Sequence, residues 1–379
     1  MVKAIACARL RASKHVQTAV ADLLNISQSE VSRLLVIAKD HKFYDPDPSF
    51  IEAHVADPRL ILEADKLISK DDDLQEVLLR WAGRGKVPVR CVVFPSVDRE
   101  DFCLAASGTV TEWIRSSTAI GCMFGTTLSK IIDGIERHQT RGPQRRTRPV
   151  SVIPVSGDPL ALMNQSQAEY SASALAAKLE RILTGAPLPD LPSLNGVPAY
   201  IPTRFALNGS KMKVLKEFFQ HIRGYEHVFG SEKRSRQQPL ISELDTLLTG
   251  IGAIFPEGEL EDRTGAFIRE RELQEDASLV ELRDLILGDF CGMLLPRPGI
   301  GKTKSQRVNK LNQGWLGIKE DHIQKIVAKS MAGRGPGVIV VADGAEKAEM
   351  VREVVARGYV NSLAISSSLA ETIKTLAAS

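Results

Sequence analysis

The chain has 379 residues, 43% hydrophobic and 25% charged, with a formal net charge of +3. This length provides for two or three domains with an ample core, and the composition is that of ordinary soluble globular proteins. Aromatic residues make up only 5%, which disfavours stacking-based recognition of single strands, and apolar runs such as VRCVVFP and GVIVVA are far too short to span a bilayer.

The charge is unevenly placed. Residues 1–44 carry seven Lys/Arg against three acids, a surplus of four, so the remainder is close to −1. A small basic head on a near-neutral body fits a phosphate-backbone binder fused to a second function. The five cysteines form no C-x-x-C pair and have no metal-ligand spacing, which suggests reduced thiols in the cytoplasm and no metal or cofactor. Lys3, Arg9 and Arg11 surround too few apolar residues for a signal peptide.

In chain order, VQTAVADLLN has helical spacing, with Val16, Ala19, Val20, Leu23 and Leu24 on one side. The next segment, NISQSEVSRLL, places Ser27 three residues before Glu30, the spacing of a reciprocal capping box. Ile26 and Val31 occupy the staple positions, and Val31, Leu34, Leu35 and Ala38 form one apolar face. Asn25 tolerates the left-handed conformation that so short a turn requires. The spacing fits an ordinary αα-corner and also a DNA-binding helix-turn-helix. In the second case Gln28, Ser29, Ser32 and Arg33 face base edges.

DPDPSFIEAHVADP reads as a linker, and the stretch beginning RLILEADKL as a helical connector. The expected division is a head at 1–58, a connector at 59–86 and an effector body at 87–379. From Val87 short apolar runs alternate with helical patterns: VPVRCVVFP, a helix around 99–114, TAIGCMFG, a helix from Thr126, RPVSVIPVSG, and a helix around 166–184. DTLLTGIGA, FCGMLLP, PGVIVVADG with a helix at 345–357, and NSLAISS follow. Such alternation implies βαβ units, hence a doubly wound, mainly parallel α/β domain.

Ligands of these sheets bind beyond the C-terminal strand ends. Gly125-Thr126-Thr127 follows a strand and opens a helix, so it can hold an anion, although a tight turn with an N-cap has the same residues. Ser156-Gly157-Asp158 and Gly250-Ile251-Gly252 lie at other strand ends, where backbone can approach a ligand closely. Lys347, in a first helical turn, opposes the helix dipole and suits a neighbouring anion better than the helix. GIGKT (299–303) imitates the end of a P-loop, but Pro296 occupies the place of its first glycine, and KSQRVNKLNQG lacks a helix's apolar stripe. The basic runs at 137–148 and 231–238 read as solvated loops.

Together these stretches resemble the SorC family of bacterial sugar-binding transcriptional regulators over nearly the whole chain. The likeness rests on VQTAVADLLNISQSEVSRLL in the head and on TAIGCMFGTTL, VSVIPVSG, LLTGIGA, GDFCGMLL and PGVIVVADGAEKAEMVREVVARGYVNSLAIS in the body. It implies a winged helix-turn-helix on an effector domain similar to sugar-phosphate isomerases and deaminases. It also implies homotetramers whose grip on operator DNA changes when a sugar or polyol derivative binds. Carried over by motif, Thr126 and Thr127 hold a phosphate, Asp289 accepts sugar hydroxyls and Lys347 supplies positive charge. Departures exist: Asn25 replaces a turn glycine, Asp343-Gly344 replaces paired glycines, and uncharged Ser156 argues against a bisphosphate. The competing class is an isomerase- or deaminase-like enzyme, disfavoured by scattered histidines and the lack of a carboxylate pair at a strand end. A protein-docking role for residues 1–44 is a third reading.

Overall fold

The computed structural model describes the chain except residues 13–14, 45–59, 61–62, 65–66, 69–70, 84–86, 97, 141–149, 162–167, 186–191, 231–237, 256–263 and 379. The linker at 45–58, most of 137–148 and nearly all of 231–238 therefore lie outside the described residues, as does any wing of the head.

Among its described residues the head has three helices: α1 (Val2–Ala12), α2 (Gln17–Leu24) and α3 (Gln28–Asp40). Asn25 takes φ 49° and ψ 53°, the left-handed conformation required of the turn. Ser27 caps α3 by accepting from the Glu30 N–H at 3.1 Å. The reciprocal half of the expected capping box is absent among the described contacts; the Glu30 carboxylate lies instead 3.9 Å from Arg33. Val20, Ala21, Val31, Leu34, Leu35 and Ala38 are buried, whereas Val16 and Leu23 are exposed, so the apolar face of α2 is narrower than its spacing suggests. The space is taken by α1, whose Ala4, Ile5, Ala6, Cys7, Ala8 and Leu10 are all buried against the other two helices.

Among its described residues the body has nine strands: β1 (Arg90–Phe94), β2 (Ala119–Cys122), β3 (Ser151–Pro154), β4 (Thr246–Thr249), β5 (Ile251–Ala253), β6 (Ile286–Phe290), β7 (Met293–Pro296), β8 (Gly337–Ala342) and β9 (Ser362–Ser366). Six of them form a wholly parallel sheet in the order β1-β9-β8-β4-β2-β3. All six residues of β8 are buried, and because successive side chains point to opposite faces, both faces of the sheet are covered. Every strand of this sheet ends at the same edge. The loops after β2, β4 and β8 are neighbours there, since β4 lies between the other two.

Two expected strands are different. DTLLTGIGA breaks at Gly250, where β4 leaves the main sheet and β5 enters a small antiparallel sheet ordered β5-β6-β7. FCGMLLP contains the hairpin between β6 and β7, turning at Cys291 (φ 51°) and Gly292 (φ 78°), a pair of positive angles that tight hairpins demand. The residues after GIGKT form a helix after all, Lys302–Asn312, whose Val308 and Leu311 are buried in the core of this small lobe. The P-loop is still excluded, because Pro296 and Pro298 lack the N–H groups that cradle phosphate. The helix Asp72–Ala82 packs on the body through Leu74, Val77, Leu78 and Ala82. Among the described residues no helix is long and apolar enough to cross a membrane.

The turn at Asn25 yields a direct test. A left-handed residue other than Gly or Asn costs roughly 1–2 kcal/mol. Asn25→Ala should therefore lower amide-exchange protection in α2 and α3 by about that amount, whereas Asn25→Gly should leave it nearly unchanged. Equal protection in both variants would contradict the role of the turn.

Candidate functional site

At the C-terminal edge of the sheet, Lys347 closes the short turn Ala345–Lys347 after β8 and is only 8% exposed. Among the described residues its ammonium makes no hydrogen bond and no ion pair. Burial lowers its pKa, while the Glu346 carboxylate works in the opposite direction. Asp343, one turn earlier, lies 3.7 Å from Arg99 and is thereby partly engaged.

Thr126 and Thr127 open the helix Thr126–Thr140, whose first N–H groups have no intrahelical acceptors. Gly125 leads into it, with its own N–H donated to the Tyr170 carbonyl at 3.2 Å. Cys103 connects this helix start with Lys347. Its Sγ lies 3.9 Å from the Thr127 carbonyl oxygen, and its thiol is within range of the Lys347 charge. Burial pushes that thiol up to about 12, so it stays protonated.

Asp289 stands on β6 opposite Gly252 of β5. A Cβ on Gly252 would overlap the Asp289 carboxyl, so the glycine is required for the carboxyl to lie there. Asp289 is 5% exposed; burial raises its pKa to about 7, against the Gly292 N–H at 3.2 Å and the charge of Lys347. β5 itself packs on the Ala345–Lys347 turn. Thr126, Thr127, Gly252, Asp289 and Lys347 thus border one region. Ser156 is at the same edge, beside β2, because the Val155 N–H donates to the Cys122 carbonyl at 3.1 Å. Its buried hydroxyl has no partner, and Gly157 next to it is pressed against the Val197 and Pro198 carbonyls.

Sequence reasoning missed the supports of this region. Tyr200 is fully buried and donates its hydroxyl to the Gly292 carbonyl. Its ring meets Trp315 and Phe267 at 5.0 and 6.2 Å, and the Arg271 guanidinium lies 4.2 Å above it. A Cβ at Gly292 would strike Trp315. These contacts fix the hairpin turn that carries Asp289. Thr264 also escaped notice; it is buried, with an unpartnered hydroxyl, just before Gly265, whose N–H donates to the Ala253 carbonyl at 2.9 Å. Only a folded lobe reveals either residue.

A cleft of about 1040 Å³ opens at the opposite edge, lined by Arg90, Trp113, Asp245, Lys329 and Arg334 among others. Its polar groups are largely matched from within. Lys329 donates to the Ser242 and Leu244 carbonyls, and Asp245 accepts from Thr118 and Thr246. At the other edge, among the described residues, the Ser156 and Thr264 hydroxyls are unmatched and Lys347 is buried, and there we place the candidate effector site. Among the described residues no cluster of His, Cys, Asp and Glu could hold a metal ion.

On the head, Gln28, Ser29, Ser32 and Arg33 are all exposed along α3. Two of them are occupied internally: the Ser29 hydroxyl lies 2.9 Å from that of Ser27, and Ser32 donates to the Gln28 carbonyl at 3.2 Å and to Gln17 Oε1 at 3.3 Å. Gln28 and Arg33 are left with the greater reach, Arg33 with its side chain 72% exposed.

Solved structures are similar in fold to this chain, one of them over head and body and others over the body. The full-length sorbitol operon regulator SorC from Klebsiella pneumoniae matches with a TM-score of 0.52 and 17% identity, over 98% of each chain. A probable sor operon regulator from Shigella flexneri gives 0.51 at 16% identity over 80% of this chain and 100% of its own. The putative sugar-binding domain of a transcriptional repressor from Vibrio fischeri gives 0.51 at 14% identity over 82% and 100%. No protein-family model and no curated protein matches the chain. At these identities the likeness is one of fold.

The Asp289 carboxyl generates a pH prediction. Its pKa rises from 3.8 to about 7 on folding, so the native state holds more protons across that interval and stability falls as pH rises through it. Asp289→Asn removes this contribution, while Glu180, raised to about 7 as well, persists in both proteins. Urea melts at about pH 4.5 and pH 7.5 should show a smaller loss for Asp289→Asn than for the wild type. Equal losses would contradict the burial of an ionisable Asp289.

Proposed function

We propose that the chain is a cytoplasmic DNA-binding transcriptional regulator whose hold on its operator is controlled by a monophosphorylated sugar or polyol. One observation carries the effector reading: Lys347, buried and without a hydrogen bond or close ion pair among the described residues, lies near Cys103, whose Sγ touches the start of the helix Thr126–Thr140. N–H dipoles, threonine hydroxyls and an ammonium together make a strong monoanion or dianion site through charge-assisted bonds. Asp289 would repel a phosphate and suits the hydroxyl-rich end of the ligand, as do the free hydroxyls of Ser156 and Thr264. A neutral sugar or polyol is the alternative ligand, and uncharged Ser156 argues against a bisphosphate.

The regulator reading draws on the basic head, the geometry of α2 and α3, and the fold shared with proteins described as operon regulators and a sugar-binding repressor domain. For the enzyme alternative, an isomerase- or deaminase-like reaction, the buried Cys103 and Cys291 thiols do not supply a base, since burial pushes both up to about 12. In this reading residues 1–58 bind DNA, 59–86 connect and 87–379 sense the effector.

Binding to a duplex selected from a random library, with and without sugar monophosphates, tests the reading. Arg33→Ala should lose preference for the selected duplex, because a bidentate arginine–guanine pair contributes roughly 1–3 kcal/mol of discrimination, yet retain salt-dependent background binding. Thr127→Ala and Lys347→Ala should shift the effector midpoint at least tenfold and leave effector-free DNA binding intact. An unchanged midpoint in both would remove this site from consideration.

A homo-oligomer, a tetramer by the family's pattern, follows from the same reading, as one head reads only a half-site. Sedimentation at micromolar concentration should give a species larger than a monomer, and a lone monomer with and without DNA would contradict it.

A further inference from the structure

The outward face of α3 is not wholly polar. Val36 is 58% exposed, while Val31, Leu34, Leu35 and Ala38 of the same helix are buried. At 3.6 residues per turn Val36 projects almost opposite that buried face, in line with Ser29 and flanked by Arg33. It therefore belongs to the side that carries the candidate base-reading residues, yet it brings no polar group.

We propose that Val36 reads the C5-methyl group of a thymine in the major groove, as the last base contact of α3. The inference rests on the assignment of α3 as a DNA-reading helix. Thymine alone presents an apolar group in that groove, so an apolar side chain there discriminates for it. A valine in a helix has one strongly preferred χ1, so its methyl groups are already oriented before binding. Seven residues separate Ser29 from Val36, about 10 Å along the helix, which places the thymine about three base pairs from the position read at the helix start. One turn later comes exposed Asp40, whose carboxylate is repelled by phosphates and ends the groove-facing part of the helix. The engagement of Ser29 and Ser32 within the head gives the apolar contact a larger share of the discrimination.

The test uses the full-length protein and the duplex it selects from a random library, with each thymine replaced in turn by deoxyuridine. This change deletes the methyl group and keeps the hydrogen-bonding pattern. One thymine per half-site should weaken wild-type binding about fourfold when demethylated, the loss of one buried methyl group. Val36→Ala should bind the unmodified duplex with at least that loss for each half-site it engages and show no further sensitivity at that position. If no demethylation matters, or Val36→Ala keeps the wild-type sensitivity, the inference fails while the DNA-reading assignment stands. If Val36→Ala changes only the sedimentation of the protein, Val36 is a contact between copies and the inference fails equally. Selection that enriches no sequence would overturn the underlying assignment of α3 itself.

Discussion

An ammonium group largely removed from water is costly, and Lys347 is such a group, with the Glu346 and Asp343 carboxylates acting on it from nearby. Its pKa falls because burial penalises the charge, a penalty that these two carboxylates offset only in part. A parallel sheet explains why the lysine is held there. All six strands of the main sheet end at one edge, which collects the loops after β2, β4 and β8 around a common region. Helix starts with free N–H groups also gather at that edge, so the fold concentrates positive potential before any side chain is chosen. Lys347 adds a full charge to it. An anion bound there supplies a close partner, and the desolvation already incurred in folding is not incurred again on binding.

The opposite end of the region has a different character. Asp289 stands on the small antiparallel sheet, held by the Gly292 N–H and by a turn clamped between Tyr200 and Trp315. Glycines at 252 and 265 leave room for its carboxyl. A ligand that reaches from Lys347 to Asp289 therefore touches both the main sheet and the small lobe. The Lys347 turn also continues into the helix Ala348–Ala356, on which the helix Asp72–Ala82 packs, and Lys374 of the C-terminal helix pairs with Asp71 at 3.0 Å. The Ala345–Lys347 turn and the segment leading back to the head thus share packing partners, an adjacency through which differential contacts with a ligand at the proposed site would bias the head.

Much of this was legible in the sequence, for physical reasons. GVIVVA reads as a strand buried on both faces because all its residues are apolar, and the structure buries all six. Asn25 announces its turn because few residues tolerate positive φ. The failures are equally instructive. α1 escaped because its small apolar residues are buried all round and leave no stripe. The helix Lys302–Asn312 escaped because only Val308 and Leu311 of its residues are buried, too few to set a period. The hairpin between β6 and β7 was hidden because Cys-Gly occupies the turn where Asn-Gly would have signalled it. The candidate residues Thr126, Thr127 and Lys347 could be named from strand-end positions, whereas Asp289 was suggested only by the family resemblance. Tyr200 and Thr264 could not, since their contribution comes from contacts distant in sequence.

On the proposed reading, the buried charge of Lys347 receives the anion of a small hydroxylated ligand. Thermal unfolding of the full-length protein against a panel of sugars, polyols, their monophosphates and bisphosphates addresses it most directly, because a ligand of the native state must stabilise it. The account predicts a melting temperature that rises with the concentration of at least one monophosphate, with inorganic phosphate competing. Stabilisation by bisphosphates alone, or by no member of the panel, would contradict it.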